Sequence, residues 1–337
     1  MKRNQSLRMI INHWGPEFTK LYGHVFPENY IAFDCEFSGP TEKDLVFEIG
    51  HTLVVGCRVV DQLNIVLDWS LDPTVPDHWI RGAIGRITQK MLHRGDRWRV
   101  QWDVMKREGI HPKKALDFYY KLFDVALDKG YPLVGHNVWH SEVKVMQNQF
   151  EGTLDVSYPF EELMIFDTGA IVKATKALEE GDEKIRSRAK GWLPLPGDSL
   201  KDYFQRCIHA QAPGILWNLG QAIRDYDLHT EYGLDMSNQH QAQFDSQLCV
   251  YLMEEFRSRI TRTNKDENPF QSPETFQRTF NEQMAKKKLA KEKRDRAKLA
   301  REQEKENEWA QEVAEVNERP SKKKKFKRPK GRRQRVV

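Results

Sequence analysis

The run Tyr30-Ile-Ala-Phe-Asp-Cys-Glu-Phe37 restricts this 337-residue chain more than any other stretch. Ser38-Gly39-Pro40 closes it, so it reads as a buried strand running into a turn. Alternate side chains of a strand share a face, which makes Asp34 and Glu36 project together from an otherwise apolar element. Two neighbouring carboxylates withdrawn from water are unfavourable unless a cation compensates them, and hard oxygen ligands suit Mg²⁺ or Mn²⁺. The bland alternative is an edge strand with its polar side in water. Ile31, Phe33 and Phe37 make the other face apolar too, which counts against that alternative.

Two further β-rich runs follow at 44–56 and 62–71, and three strands in close succession predict an antiparallel meander. Helical spacing then takes over. Residues 113–129 place Leu116, Tyr119 or Tyr120, Phe123 and Leu127 on one face, and Gly130 and Pro132 end the segment. Beyond it, 131–135 reads as a strand, 140–150 as a helix, 162–167 as a strand and 168–178 as a helix. Residues 180–199 read as a loop or insertion, and 239–260 as a helix carrying Ala242, Leu248, Leu252 and Phe256. Strands alternating with helices after a meander predict an α/β fold with a mixed sheet.

Charge divides the chain in two. The net +5 is the sum of an acidic body, residues 1–279, with 33 Lys+Arg against 39 Asp+Glu, and a basic remainder with 21 against 10. An acidic body is compatible with a carboxylate metal site, and a basic tail with contact to a polyanion. Residues 272–316, rich in Lys, Glu, Arg, Gln and Ala, predict a long charged helix that is a candidate surface for a protein partner. The last 19 residues hold 11 Lys+Arg and no acid, which predicts disorder when unbound. This tail has two functional readings, phosphate contact and, in a eukaryotic host, nuclear localisation; the alternative is a solubilising tail. No apolar run reaches the ~18 residues of a membrane span. Met9–Ile11 is too short for a signal core, and Cys35, Cys57, Cys207 and Cys249 are too scattered for a disulfide framework or a zinc finger. These features predict an intracellular protein without a membrane partner, cytoplasmic, or nuclear if the host is eukaryotic.

Two more constellations carry chemistry. His240-Gln-Ala-Gln-Phe-Asp245 brings an imidazole and a carboxylate within about one helical turn. Asp245 is then a candidate metal ligand, and His240 a candidate general base for an attacking water. Gly135-His136-Asn137-Val-Trp-His140-Ser141-Glu142 marks a strand giving way to a helix. Taken together, these segments resemble the DEDD 3′–5′ exonuclease superfamily in its histidine-containing form (DEDDh). Asp34-Cys-Glu36 matches the first motif, Leu133-Val-Gly-His-Asn137 the start of the second and His240 to Asp245 the third. Phe47-Glu-Ile-Gly50, Gly85-x-Ile-Thr88-x-x-Met91-Leu92 and Phe166-Asp167-Thr168 are supporting matches, and the likeness covers about residues 29–260. Phe33-Asp-Cys-Glu-Phe-Ser-Gly39 and His240-Gln-Ala resemble the poly(A)-specific ribonuclease and deadenylase branch, whereas Ile-Thr-x-x-Met-Leu resembles the DnaQ-like proofreading branch.

The resemblance implies an RNase H-like α/β fold: a mixed five-stranded sheet flanked by helices, with the acidic site at its centre. It implies a domain at 29–262, after an extension at 1–28 and before a charged helical extension at 263–318 and a basic tail at 319–337. It also implies a two-metal, Mg²⁺- or Mn²⁺-dependent 3′–5′ exonuclease that hydrolyses single-stranded RNA or DNA to nucleoside 5′-monophosphates. Asp34, Glu36 and Asp245 would be metal ligands and His240 the general base.

One departure stands out. The family carries an Asp at the position of Ser141, and Glu142 follows it. Either Glu142 is the fourth metal ligand, or the second metal is held weakly through Ser141 and water, or catalysis has been lost. Glu142 fits only if the helix is rotated or starts one residue later, because neighbouring helical residues lie ~100° apart. Loss would leave an RNase H-like nucleic-acid-binding or scaffold protein acting through its basic tail. Asp167 reads as a helix N-cap or an outer organiser of the site. Trp139, Trp192 and Trp217 are candidate stacking platforms, with core packing the commoner role, and His136 and His140 are read as packing residues near the site.

Overall fold

A computed structural model of the chain describes residues 6–10, 26–39, 44–195 and 197–261. The charged helix and basic tail expected beyond residue 262 lie outside the described residues. Three strands form the expected meander: β1 (Tyr30–Phe37), β2 (Val46–Val55) and β3 (Arg58–Val66). The third starts four residues before the apolar run at 62 and stops at Val66, where Asp68 caps a single 3-10 turn. Gly56 and Cys57, at φ 58° and 60°, make the tight turn between β2 and β3, with both central residues left-handed as the twist of a two-residue hairpin requires. Two short strands, β4 (Leu133–Gly135) and β5 (Ile165–Asp167), complete the sheet.

The sheet order is β3-β2-β1-β4-β5, antiparallel across the first three strands and parallel from β1 to β4 to β5. This is the mixed five-stranded, RNase H-like arrangement expected from the sequence. Because β1 has an antiparallel neighbour on one side and a parallel one on the other, its carboxyl end is where the connections diverge. Open α/β sheets bind ligands at such an end.

Helices cover both faces. On one side lie α1 (Asp77–Arg94), α2 (Trp102–Glu108), α3 (Pro112–Lys129) and α4 (Glu142–Gln149). They pack on Ile31, Phe33 and Cys35, the odd positions of β1. An aromatic group made by Phe33, Phe123, Phe150, Tyr158 and Phe160 fills this layer, with Phe33 and Phe123 edge to face at 5.3 Å. Each such ring contributes roughly 1.5–3 kcal/mol on burial.

The other side holds α5 (Thr168–Glu179), α6 (Glu183–Ser187), α7 (Leu200–His209), α8 (Leu219–Asp225), α9 (Leu228–Glu231) and α10 (Ala242–Thr261). They meet Tyr30 and Ala32, the even positions of β1, together with Val54, Val134 and Phe166. The stretch 180–199, expected as a loop or insertion, contains α6 and a 3-10 turn, and its Trp192 is fully buried.

Candidate metal centre and cleft

Along the even face of β1 the environment changes within two residues. Tyr30 and Ala32 are packed in the core, whereas Asp34 and Glu36 line a cleft of about 400 Å³ at the carboxyl end of the strand. Opposite them on β2 stand Gly50 and Glu48, paired in register with Asp34 and Glu36. Gly50 explains how a helix reaches this floor. A Cβ there would lie 2.0 Å from Gln243 N and 2.3 Å from Ala242 C, so only glycine lets the first turn of α10 touch the sheet. Glu48, wholly buried, accepts from the Ala242 N–H at the start of that helix and pairs with Arg99 at 2.9 Å and with Asn64. Asn64 Oδ1 in turn accepts from Gln243 N–H at 3.3 Å. These contacts tie the amino end of α10, and hence Asp245, to the meander.

His240 does not lie on that helix, as the spacing suggested. It precedes α10 in the left-handed region (φ 64°), and its backbone N–H donates to Asp245 Oδ2 at 3.2 Å. Its ring lies between two carboxylates: Nε2 is 3.1 Å from Asp96 Oδ2 and Nδ1 is 3.8 Å from Glu36 Oε1. Ligand atoms of Glu36, His240 and Asp245 fall within 4.8 Å of one another, the group with metal-holding geometry among the described residues.

Glu142 is the first residue of α4, which starts two residues later than the 140–150 reading. The carboxyl is buried, lines the same cleft and is hydrogen-bonded by the Ser141 hydroxyl, which also lies 3.0 Å from the Asn137 carbonyl oxygen. All five sequence-derived site residues, Asp34, Glu36, Glu142, His240 and Asp245, therefore border one cleft.

The electrostatics are those of acids gathered by burial, which the nearby Lys90 only partly offsets at Glu36. Burial first, and then the charges of Asp245 and their acidic neighbours, raise Asp34 and Glu36 well above the usual carboxylate range. Burial takes Asp245 up to about 7 and Glu142 up to about 8, the Ser141 hydrogen bond opposing the second shift. Burial also lowers His240, against the pull of Asp96. Asp245 Oδ1 is buried and finds no hydrogen-bond partner among the described residues. An orphaned carboxylate oxygen on Asp245, in the group it forms with Glu36 and His240, fits a divalent cation.

The remaining candidates separate. Asp167 is the N-cap of α5, accepting from Ala170 N–H, and it also accepts from Asn137 N–H at 2.9 Å, which fixes the turn after β4. His136 contacts Thr168 Oγ1 and the Trp217 carbonyl oxygen, and burial lowers its pKa to about 4, so it stays neutral while bracing the loop before α8. Of the three tryptophans only Trp217 lines the cleft; Trp192 is core and Trp139 borders a separate groove under Lys201. His140 is exposed, edge-on to His209.

Sequence reasoning missed Asp96, the Glu48–Arg99–Asn64 group, and Lys90 and Arg94. The last two project from α1 into the cleft, and neither has an ion pair among the described residues. Their signal was the spacing Ile80, Ile84, Ile87, Met91, a helix read only as a motif match.

No family model and no curated protein matches the sequence. Solved structures of exonuclease I are similar at the level of a distant fold. One, whose structure suggests how processivity is achieved, shares 15% identity at a TM-score of 0.42 over 68% of this chain and 41% of its own. The E. coli enzyme with a dA16 oligonucleotide gives 15% and 0.42 over 70% and 42%, and its zinc-bound complex with single-stranded DNA 13% and 0.41 over 70% and 42%. The chain thus spans about two fifths of the length of the structures it matches.

Proposed function

We propose that this protein is a metal-dependent 3′–5′ exonuclease acting on single-stranded nucleic acid. The observation that carries the reading is the convergence of Asp34, Glu36, Glu142, His240 and Asp245 on one cleft, with carboxyls that burial raises above their usual range. Asp34, Glu36 and Asp245 would hold one Mg²⁺ or Mn²⁺, and Glu142, in place of the missing aspartate, would share in a second with Asp34. Bound there, divalent cations polarise a phosphodiester and acidify a coordinated water.

The chain's own groups account for the rest. His240 accepts the proton of the attacking water. Lys90 and Arg94 attract phosphate oxygens to the mouth of an acidic cleft that would otherwise repel them. Leu216, 61% exposed, and Trp217 form an apolar wall suited to unstacked bases. The reading extends to the superfamily and not to its deadenylase branch, and it covers RNA and DNA alike.

The test is digestion of 5′-labelled single-stranded RNA and DNA with Mg²⁺ or Mn²⁺. A ladder shortening from the 3′ end, with nucleoside 5′-monophosphates released and both lost in Asp34→Asn, is the expected result. Wild-type protein that binds the oligonucleotide but never shortens it would replace the enzyme with the non-catalytic binder that Ser141 favours.

A further inference from the structure

Asp96 sits just past the end of α1, where Gly95 (φ 78°) reverses the chain and Asp96 N–H donates to the Met91 carbonyl oxygen at 2.9 Å. That turn sets the Asp96 carboxylate against His240 from the side opposite Glu36. The two ring nitrogens consequently have different surroundings. Nε2 is within hydrogen-bond distance of Asp96 Oδ2 at 3.1 Å, while Nδ1 is 3.8 Å from Glu36 Oε1, beyond that distance. A neutral imidazole has a single N–H, and of the two contacts only the one to Asp96 is short enough to take it, which leaves Nδ1 with its lone pair. Backbone constraints hold the ring in this place: His240 is left-handed, a conformation uncommon outside glycine that histidine adopts more readily than most side chains, and its own N–H is engaged by Asp245.

We infer that Asp96 is a positioning residue that fixes His240 as the Nε2–H tautomer and so leaves the Nδ1 lone pair turned toward Glu36 and Asp245. The functional part rests on the hydrolytic reading above, in which that lone pair takes the proton of the attacking water as the water's oxygen bonds to phosphorus. Asp96 belongs neither to the lining of the cleft nor to the group of Glu36, His240 and Asp245, and acts through the ring alone. Its side chain is 36% exposed, so the pair adds little to folding.

The decisive readout needs neither metal nor turnover. Long-range ¹H–¹⁵N correlation spectra of the metal-free full chain, at about pH 8 where an imidazole is neutral, report the tautomer of each histidine, and His240→Gln assigns the signal. The Nε2–H form is expected to dominate in the wild type, to give way to a mixture in Asp96→Ala and to return in Asp96→Glu. In digestion assays Asp96→Ala is expected to lower kcat by about 10- to 10,000-fold, between the loss for an outer partner of a metal-ligating histidine and that for the carboxylate behind a general-base histidine, with KM unchanged. A dominant Nδ1–H form in the wild type, or an unchanged tautomer ratio in Asp96→Ala, overturns the assignment. A changed ratio with undiminished kcat overturns its catalytic part. An inactive wild type that shows the Nε2–H form sinks the hydrolytic reading and leaves the tautomer assignment standing.

Discussion

Phe33 and Asp34 are neighbours in sequence and lie on opposite faces of one strand, and the two faces do opposite work. The odd face is closed: Phe33 meets Phe123 in a ring cluster whose members are all buried. The even face begins in the same manner with Tyr30 and Ala32 and then opens at Asp34 and Glu36 into acids that are unfavourably buried. A strand stabilised on one side can carry destabilising chemistry on the other, provided that the first side supplies the surplus.

Substitutions on the even face should separate activity from stability. Asp34→Asn or Asp245→Asn is expected to reduce hydrolysis by more than about a hundredfold, beyond the loss from removing an outer partner of a ligand. Above about pH 8, where Asp245 has ionised, Asp245→Asn should also raise the melting temperature of the metal-free protein, because it removes a like charge from the cluster. A variant that lost both activity and stability would make the carboxylates structural.

On the odd face, Phe33→Ala is expected to lower stability by about 3–5 kcal/mol in denaturant titrations and to leave kcat per folded molecule nearly intact. Gly50→Ala tests the joint between the two faces. Its methyl group meets the backbone of α10, so a loss of about 1–3 kcal/mol should come with a loss of activity as Asp245 is displaced.

The pH dependence has a definite sign. Glu142 is raised to about 8, Asp245 to about 7 and, by burial, Asp167 to about 6, each above its unfolded value near 4. The folded chain therefore holds protons that the unfolded chain has released. Their stabilising contribution is complete below about pH 4 and is lost as pH rises through about 6 to 8. Melting curves in a chelator should fall across that window and flatten in excess Mn²⁺, while equal slopes in both would mean that no cation compensates the cluster. The smallest effect belongs to the cleft's mouth: Lys90→Ala or Arg94→Ala should each lower by about one the slope of log affinity for a single strand against log salt.

Legibility in the sequence followed how local each feature is. β1, its two carboxylates and the helix at 112–129, closed by Gly130 at φ 64°, were readable because alternation, spacing and a glycine stop are written in consecutive residues. The site residues were readable only as three separate motifs, and their meeting depends on Gly50, which permits the approach of α10, and on Glu48, which receives the N–H at its start. No periodicity marks such a contact. Asp96 was illegible for the same reason: 144 positions separate it from His240, and only the turn at Gly95 brings them together. Trp192 took the commoner of its two roles, core packing, and the Leu-Pro-Leu-Pro stretch that reads as a loop or insertion is pinned to α7 through the Trp192 carbonyl oxygen and the Tyr203 hydroxyl.

Calorimetric titration of Mn²⁺ into the chelator-treated protein, repeated in buffers of different ionisation heat at about pH 7, tests most directly the claim that these acids are gathered for a cation. Saturable binding that releases protons, abolished in Asp245→Asn and unchanged in Phe33→Leu, is the predicted result. Absence of saturable binding, or binding that Asp245→Asn leaves intact, would contradict it.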